Sequence, residues 1–216
     1  MNKVDPQQFI ITRKRKKYKF ALFHNSPLCK EAEEWGTSKT TDVLEMGAGT
    51  GLFSVVMAAA APKKRFVAFD IKADRLQSGA RAAHEAGLDN LSFLRARADL
   101  VEEYFAPHSL EKIWVTFPDP FPKDRSAKHR LLHPRFLKSY ATLLKKDGAL
   151  FFKTDAHDLF EWSLERLVEE GWQVGQLTFD LHESELDEAY KVHTTYEARY
   201  VKEGKRIGFV KATPPK

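Results

Sequence analysis

Residues 42–51 read Asp-Val-Leu-Glu-Met-Gly-Ala-Gly-Thr-Gly, a short apolar run that stops at glycines 47, 49 and 51. The run predicts a buried strand, and glycines at alternate positions after it let the backbone turn sharply and lie close against a ligand. A dinucleotide fingerprint would place its third glycine at position 52, which is Leu52 here; the third glycine, Gly51, comes one residue early. Glu45 stands two residues before Gly47. Its carboxylate would repel a pyrophosphate and attract a cation such as a sulfonium or an amino group.

Outward from this segment, short apolar runs alternate with helical stretches. Helices are expected over about 52–61, 73–86, 134–144 and 157–170, and strands over about 65–69, 91–94, 112–117, 149–154, 172–179 and 206–210. Gly87 closes the second of these helices, prolines 118, 120 and 122 halt the strand over 112–117, and Leu159, Trp162, Leu164 and Leu167 supply a helical core stripe. Such alternation specifies an α/β domain with a mainly parallel sheet and helices on both faces. Residues 1–40, with Pro6, Pro27 and little periodicity, read as a basic N-terminal extension, leaving 41–216 as the domain.

In open sheets of this kind, ligands bind at the carboxyl ends of the strands. Asp70 ends the second strand, where an acid binds the two hydroxyls of a ribose. Asp99, after the third strand, is placed to accept from an adenine amino group. The fourth strand runs into Phe117-Pro118-Asp119-Pro120-Phe121-Pro122-Lys123. Its prolines stiffen the loop and aim Asp119, and Phe121 offers a ring for stacking on a planar base.

Charge is unevenly distributed. The 216 residues sum to +5, yet the first 20 hold seven Lys or Arg against Asp5, and residues 122–135 hold five against Asp124. Two basic patches on an otherwise acidic body suit a protein that meets a polyanion on one face. No apolar run approaches the roughly 20 residues of a membrane helix, and a basic cluster follows Met1 where a signal peptide would carry its apolar core. Cys29 is the single cysteine, so no intrachain disulfide forms and a reduced cytoplasmic setting is expected. His182 and His193 lie among Glu183, Glu185 and Asp187 without metal-ligand spacing, so no metal is assigned.

Glu45, Gly47, Gly49, Gly51 and Asp70, in this order after successive strands, resemble the S-adenosylmethionine-dependent methyltransferases with a seven-stranded Rossmann-like fold, over roughly residues 41–210. The resemblance implies a mixed sheet whose last strand runs antiparallel, and S-adenosyl-L-methionine as cofactor. Residues 118–132, PDPFPKDRSAKHRLL, are similar to the signature of the bacterial tRNA (guanine-N7-)-methyltransferases, the TrmB family. Lys153-Thr154-Asp155 resembles that family's T-D pair, and Thr194-Thr195-Tyr196-Glu197, with Arg199 and Gly204 following, its T-x-Y-E motif. Departures are Phe121 for a usual tryptophan, Asp124 for a basic residue, and Ser126 and Ala127 at polar or histidine positions.

By this resemblance Glu45, Asp70, Asp99 and Asp119 line the S-adenosyl-L-methionine site together with the glycines, and Asp119 is also the catalytic candidate. Lys123, Asp155, Thr194, Thr195, Tyr196 and Glu197 contact the substrate guanosine. The partner is tRNA, its target guanine lying in the variable loop. Phosphate contacts are expected from Arg13, Lys14, Arg15, Lys16, Lys17, Arg125, Lys128 and Arg130, with no role for a membrane. Two alternatives stay open on the residues alone. One is a methyltransferase acting on an exocyclic amine, whose loop after the fourth strand is also short and proline-rich. The other is an RNA-binding relative without turnover.

Overall fold

The computed structural model describes residues 3–9, 14–192 and 195–216, which divide into two compact units, Met1–Tyr104 and Phe105–Lys216. The first unit contains α1 (Lys14–His24), β1 (Cys29–Glu31), α2 (Ala32–Trp35), β2 (Val43–Met46), α3 (Leu52–Ala60), β3 (Phe66–Asp70), α4 (Ala73–Glu85), β4 (Leu91–Arg95) and α5 (Val101–Tyr104). Strands β2, β3, β4 and β1 are neighbours in that order and all parallel, with Val43 opposite Phe66, Phe66 opposite Leu91, and Cys29 opposite Phe93. Every residue of β2 is buried, as are the first four of β3, which is why β3 reads as an unbroken apolar run and β2 as one interrupted only by Glu45. Helix α4 turns Ala73, Leu76, Ala80 and Ala83 inward at helical spacing. It ends at Gly87, whose φ of 68° is left-handed; Leu88 N–H donates to the Ala83 carbonyl and Gly87 N–H to that of His84, so the last carbonyls are satisfied.

The second unit contains β5 (Leu110–Thr116), α6 (Pro134–Leu143), β6 (Leu144–Thr154), α7 (His157–Glu169), β7 (Gln173–Thr178), α8 (Thr195–Lys202) and β8 (Gly208–Thr213). Strands β5 and β6 are parallel, and β8 lies between β6 and β7, antiparallel to both. Trp114 stacks on Phe151 with centroids 4.5 Å apart, and Tyr190 on Phe209 at 4.9 Å. Helix α6 starts with Pro134 at its first position, where no N–H is missed, and the His133 imidazole accepts from Arg135 N–H at 3.3 Å.

The antiparallel final strand matches expectation, but the described strands number eight, not seven. The extra one, β1, is three residues reading Cys-Lys-Glu, too short and polar for a periodic signal; its pairing with β4 makes it a strand. Strand β6 starts upstream of Gly148, with a register shift opposite β5. In α7 the buried face is Leu159, Phe160, Ser163 and Leu167, so Trp162 and Leu164 of the expected stripe are half-buried instead. No helix among the described residues is long and apolar enough to cross a membrane.

Candidate functional site

In the first unit the loop after β2 is held left-handed at Gly47, Gly49 and Gly51, with φ of 68°, 57° and 69°. Packing demands glycine at position 51, because a Cβ there would lie 2.6 Å from the Phe93 ring and 3.1 Å from Ala68 Cβ. Gly49 differs, since a Cβ built on it meets nothing within 4 Å, so this side of the loop is open. Behind the loop α4 approaches closely at Gly79, whose added Cβ would stand 2.2 Å from the Thr50 carbonyl oxygen.

Asp70, the last residue of β3, ties this loop down. One carboxylate oxygen accepts from Gly49 N–H and the other from Lys72 N–H, each at 2.8 Å. Glu45 is 2% exposed, and its Oε2 accepts from the Ser54 hydroxyl at 2.6 Å and the Ser54 N–H at 3.2 Å. Its negative charge therefore sits at the first turn of α3, where backbone donors and the helix dipole favour an anion. Asp99 follows β4 and is held by the Arg97 guanidinium at 3.1 and 2.7 Å. The structure thus gathers Glu45, the glycines and Asp70 around one loop, while Asp99 sits on its own turn. Ile71, next to Asp70, is 56% exposed; an apolar side chain presented at a strand end carries no signal in sequence.

In the second unit β5 ends in a strained turn. Phe117 and Phe121 have φ of 47° and 44°, a left-handed conformation that costs a non-glycine residue about 1–3 kcal/mol and persists only where its surroundings enforce it. Exposed Asp119 lies midway between them. Phe117 N–H donates to the Lys153 carbonyl at 2.9 Å. Lys123, Arg125 and Lys128 are exposed along the short helical turn that follows, whose start is pinned by Ser126 Oγ on the Lys123 carbonyl. Arg130 corrects the expectation of a phosphate contact. It is 8% exposed, its Nε donates to the carbonyls of Pro120 and Phe121, its Nη2 donates to Phe121, and its guanidinium lies 4.5 Å from the Trp162 ring centroid.

Asp155 follows β6, and its Oδ2 accepts from Lys205 Nζ at 2.8 Å; that ammonium also lies 4.2 Å from the Tyr200 ring centroid. Lys153 is completely buried and donates to Glu197 Oε2 at 2.7 Å and to the Val192 carbonyl at 2.8 Å. Glu197, equally buried on α8, meets His182 Nε2 through its other oxygen at 3.1 Å. This buried pair joins the K-T-D and T-x-Y-E segments, a juxtaposition their 44-residue separation does not announce. Arg13 and Thr194 lie outside the described residues, as do the side chains of Lys14, Arg15, Thr195 and Tyr196; Lys16 is exposed and Lys17 half-buried.

The family model described as "Putative methyltransferase" matches residues 39–210. The tRNA (guanine-N(7)-)-methyltransferase of Christiangramia forsetii is 38% identical over 171 residues, covering 78% of this chain and 76% of that protein. That of Brevibacillus brevis is 36% identical over 197 residues, covering 90% and 91%. Two solved structures share the fold at low identity. The 16S rRNA methyltransferase KamB aligns with a TM-score of 0.61 at 20% identity, over 82% of this chain and 88% of its own. The 16S rRNA (adenine(1408)-N(1))-methyltransferase of Catenulisporales acidiphilia aligns at 0.59 and 15%, over 100% and 96%. The architecture is therefore the Rossmann-like methyltransferase fold, and by the extent and identity of its sequence matches the chain belongs to the tRNA (guanine-N(7)-)-methyltransferase family.

Proposed function

We propose that this chain transfers the methyl group of S-adenosyl-L-methionine to N7 of a guanine in the variable loop of tRNA, forming N7-methylguanosine. The observation that carries the reading is the turn after β5: an exposed carboxylate, Asp119, between two left-handed phenylalanines, followed at once by exposed Lys123, Arg125 and Lys128. The names of the relatives support the substrate class, and the open glycine loop with Asp70 bonded across it fits the cofactor.

S-adenosyl-L-methionine supplies an electrophilic methyl group on a sulfonium. Gly47, Gly49, Gly51, Asp70, Asp99 and Asp119 are the residues proposed to hold it, with Ile71 covering the apolar face of the adenine. Glu45 supports the loop from beneath through Ser54 and adds negative charge near the bound cation. Guanine N7 is a lone-pair nucleophile without a proton, so the chain needs no general base. Its task is alignment and a setting that tolerates positive charge growing on the base. Asp119 and Asp155 suit that task, because carboxylates accept from the N1–H and N2 amino groups of guanine and offset the charge. Lys123 and the segment 194–197 complete the guanosine site, Glu197 acting through its hold on α8.

N7 faces the major-groove edge, which a regular RNA duplex hides, so a loosely paired variable-loop base is a fitting target. The basic residues within 1–40, Arg13 to Lys17, together with Arg125 and Lys128, are proposed to bind backbone phosphates around the 41–216 domain, in the cytoplasm where tRNA resides. The test is methyl transfer from labelled S-adenosyl-L-methionine to unmodified tRNA transcripts, with nucleoside analysis of the product. N7-methylguanosine that vanishes when the variable-loop guanine is replaced supports the reading. Label in N6-methyladenosine, or cofactor binding with no labelled tRNA, refutes it.

A further inference from the structure

We propose that Arg130, seated on Trp162, is the positioning residue that fixes the Asp119 turn for methyl transfer; the proposal rests on the role given to Asp119 above. Pro118, Pro120 and Pro122 have no N–H, so this stretch cannot be held by a run of backbone hydrogen bonds. It is fastened at its two ends instead. At the near end Phe117 N–H donates to the Lys153 carbonyl of β6. At the far end the carbonyls of Pro120 and Phe121 both receive the Arg130 guanidinium, at 3.1 to 3.3 Å. These attachments grip the two residues that are left-handed, Phe117 and Phe121, and Asp119 is the midpoint between them.

Arg130 is itself anchored. Its N–H donates to the Ala127 carbonyl at 3.0 Å, and its carbonyl accepts from His133 N–H at 2.9 Å, just before α6. Its guanidinium lies over Trp162 of α7, a ring that Arg166 also approaches, at 5.6 Å. A planar guanidinium can stack on an indole and fork to two adjacent carbonyls at once, which a lysine ammonium cannot do. Arg125 and Lys128 belong to the same basic run but stand exposed, whereas Arg130 is turned inward and serves geometry.

Full-length Arg130→Lys, Trp162→Ala and Trp162→Phe chains test this by steady-state methyl transfer to tRNA, by tRNA binding against salt, and by hydrogen–deuterium exchange. Arg130→Lys and Trp162→Ala should lower kcat by about ten- to a hundredfold, the scale of a small misplacement of a reacting group, with both KM values within about twofold. Trp162→Phe, which restores a ring beneath the guanidinium, should recover most of that loss. Exchange in the peptide carrying Asp119 and Phe121 should quicken in the first two variants while peptides over β2 to β4 stay unchanged. An unchanged kcat with a raised KM for tRNA and a shallower salt dependence would make Arg130 a phosphate contact and overturn the proposal. Uniformly faster exchange throughout residues 105–216 would overturn it as well, since that marks a packing role. Asp119→Asn is run alongside. If it keeps full turnover, the role of Asp119 fails; if it is inactive while Arg130→Lys is not, the clamp alone fails.

Discussion

Glu197→Gln removes one charge from a pair that has no access to water. Lys153 Nζ and Glu197 Oε2 are 2.7 Å apart with both side chains fully buried, and Glu197 also faces His182 at 3.1 Å. After the substitution the ammonium keeps the Val192 and Tyr190 carbonyls, at 2.8 and 3.4 Å, but these dipoles do not neutralise it. Breaking a buried pair from one side costs about 3–5 kcal/mol, whereas replacing both members with apolar residues of similar size is often neutral. At about 2–4 °C per kcal/mol for a chain of this length, the melting midpoint should fall by between about 6 and 20 °C. Lys153→Met combined with Glu197→Leu should recover most of the loss. Thermal melts of the full chain, with and without cofactor, read this directly. A Glu197→Gln protein melting within about 2 °C of the parent refutes the reasoning. If that protein has also lost methyl transfer, Glu197 acts on the substrate itself and not by securing α8 to β6.

Gly51→Ala should cost about 2–4 kcal/mol, from overpacking against the Phe93 ring plus left-handed strain, and should abolish cofactor binding by calorimetry; Gly49→Ala, with open space around it, should cost about 1 kcal/mol. Arg125→Ala with Lys128→Ala should flatten the log–log salt dependence of tRNA affinity by about 1.5, at roughly 0.7–0.9 per lost phosphate contact; an unchanged slope removes both residues from the interface. Burial, and then the nearby Arg135, hold the His133 imidazole below its ordinary value, and the neutral ring caps α6. The folded chain thus binds this proton less well than the unfolded chain. The contribution is complete above the unfolded value of about 6.5 and is lost as pH falls through the lowered folded value. His133→Asn, which retains a cap acceptor, should melt with a weaker dependence on pH between 7 and 5.5; identical profiles would exclude His133 as the source.

Strands buried on both faces announce themselves as apolar runs, so β2, β3 and β5 were legible from Val43-Leu44, Phe66-Val67 and Ile113-Trp114-Val115, with glycines, Asp70 or prolines marking their ends. Strand β1 was not, because three residues carry no period and its strand character comes from β4. Helix α1 was hidden for a related reason. Lys14 to Lys19 offers no apolar stripe, and the helix is fastened by Phe23, buried in it, and by Phe20 against Phe9. At the candidate site, residue type and order pointed to Asp70 at the end of β3, to the glycines in the loop after β2 and to Asp119 in the loop after β5, and the structure places them there. Pairing across distance was illegible. Nothing local distinguishes Lys153 from a surface lysine until Glu197 arrives 44 residues later, and Arg130 reads like its basic neighbours because Trp162, which receives it, lies 32 residues on in α7.

The placement of β8 between β6 and β7 has a consequence for biogenesis. Strands β1 to β4 are complete once residue 95 has been made, so the first unit can form its parallel sheet while the remainder is still being translated. The second unit must wait. Strand β7 has no neighbour to pair with until residues 208–213 leave the ribosome, at about 5–20 residues per second. For those seconds the edge of β6, with Phe151 and Phe152, is uncovered and open to pairing with another nascent chain. Slower elongation anywhere between residues 154 and 208 lengthens that window, so chains paused there should aggregate more in a translation assay than chains paused before residue 95.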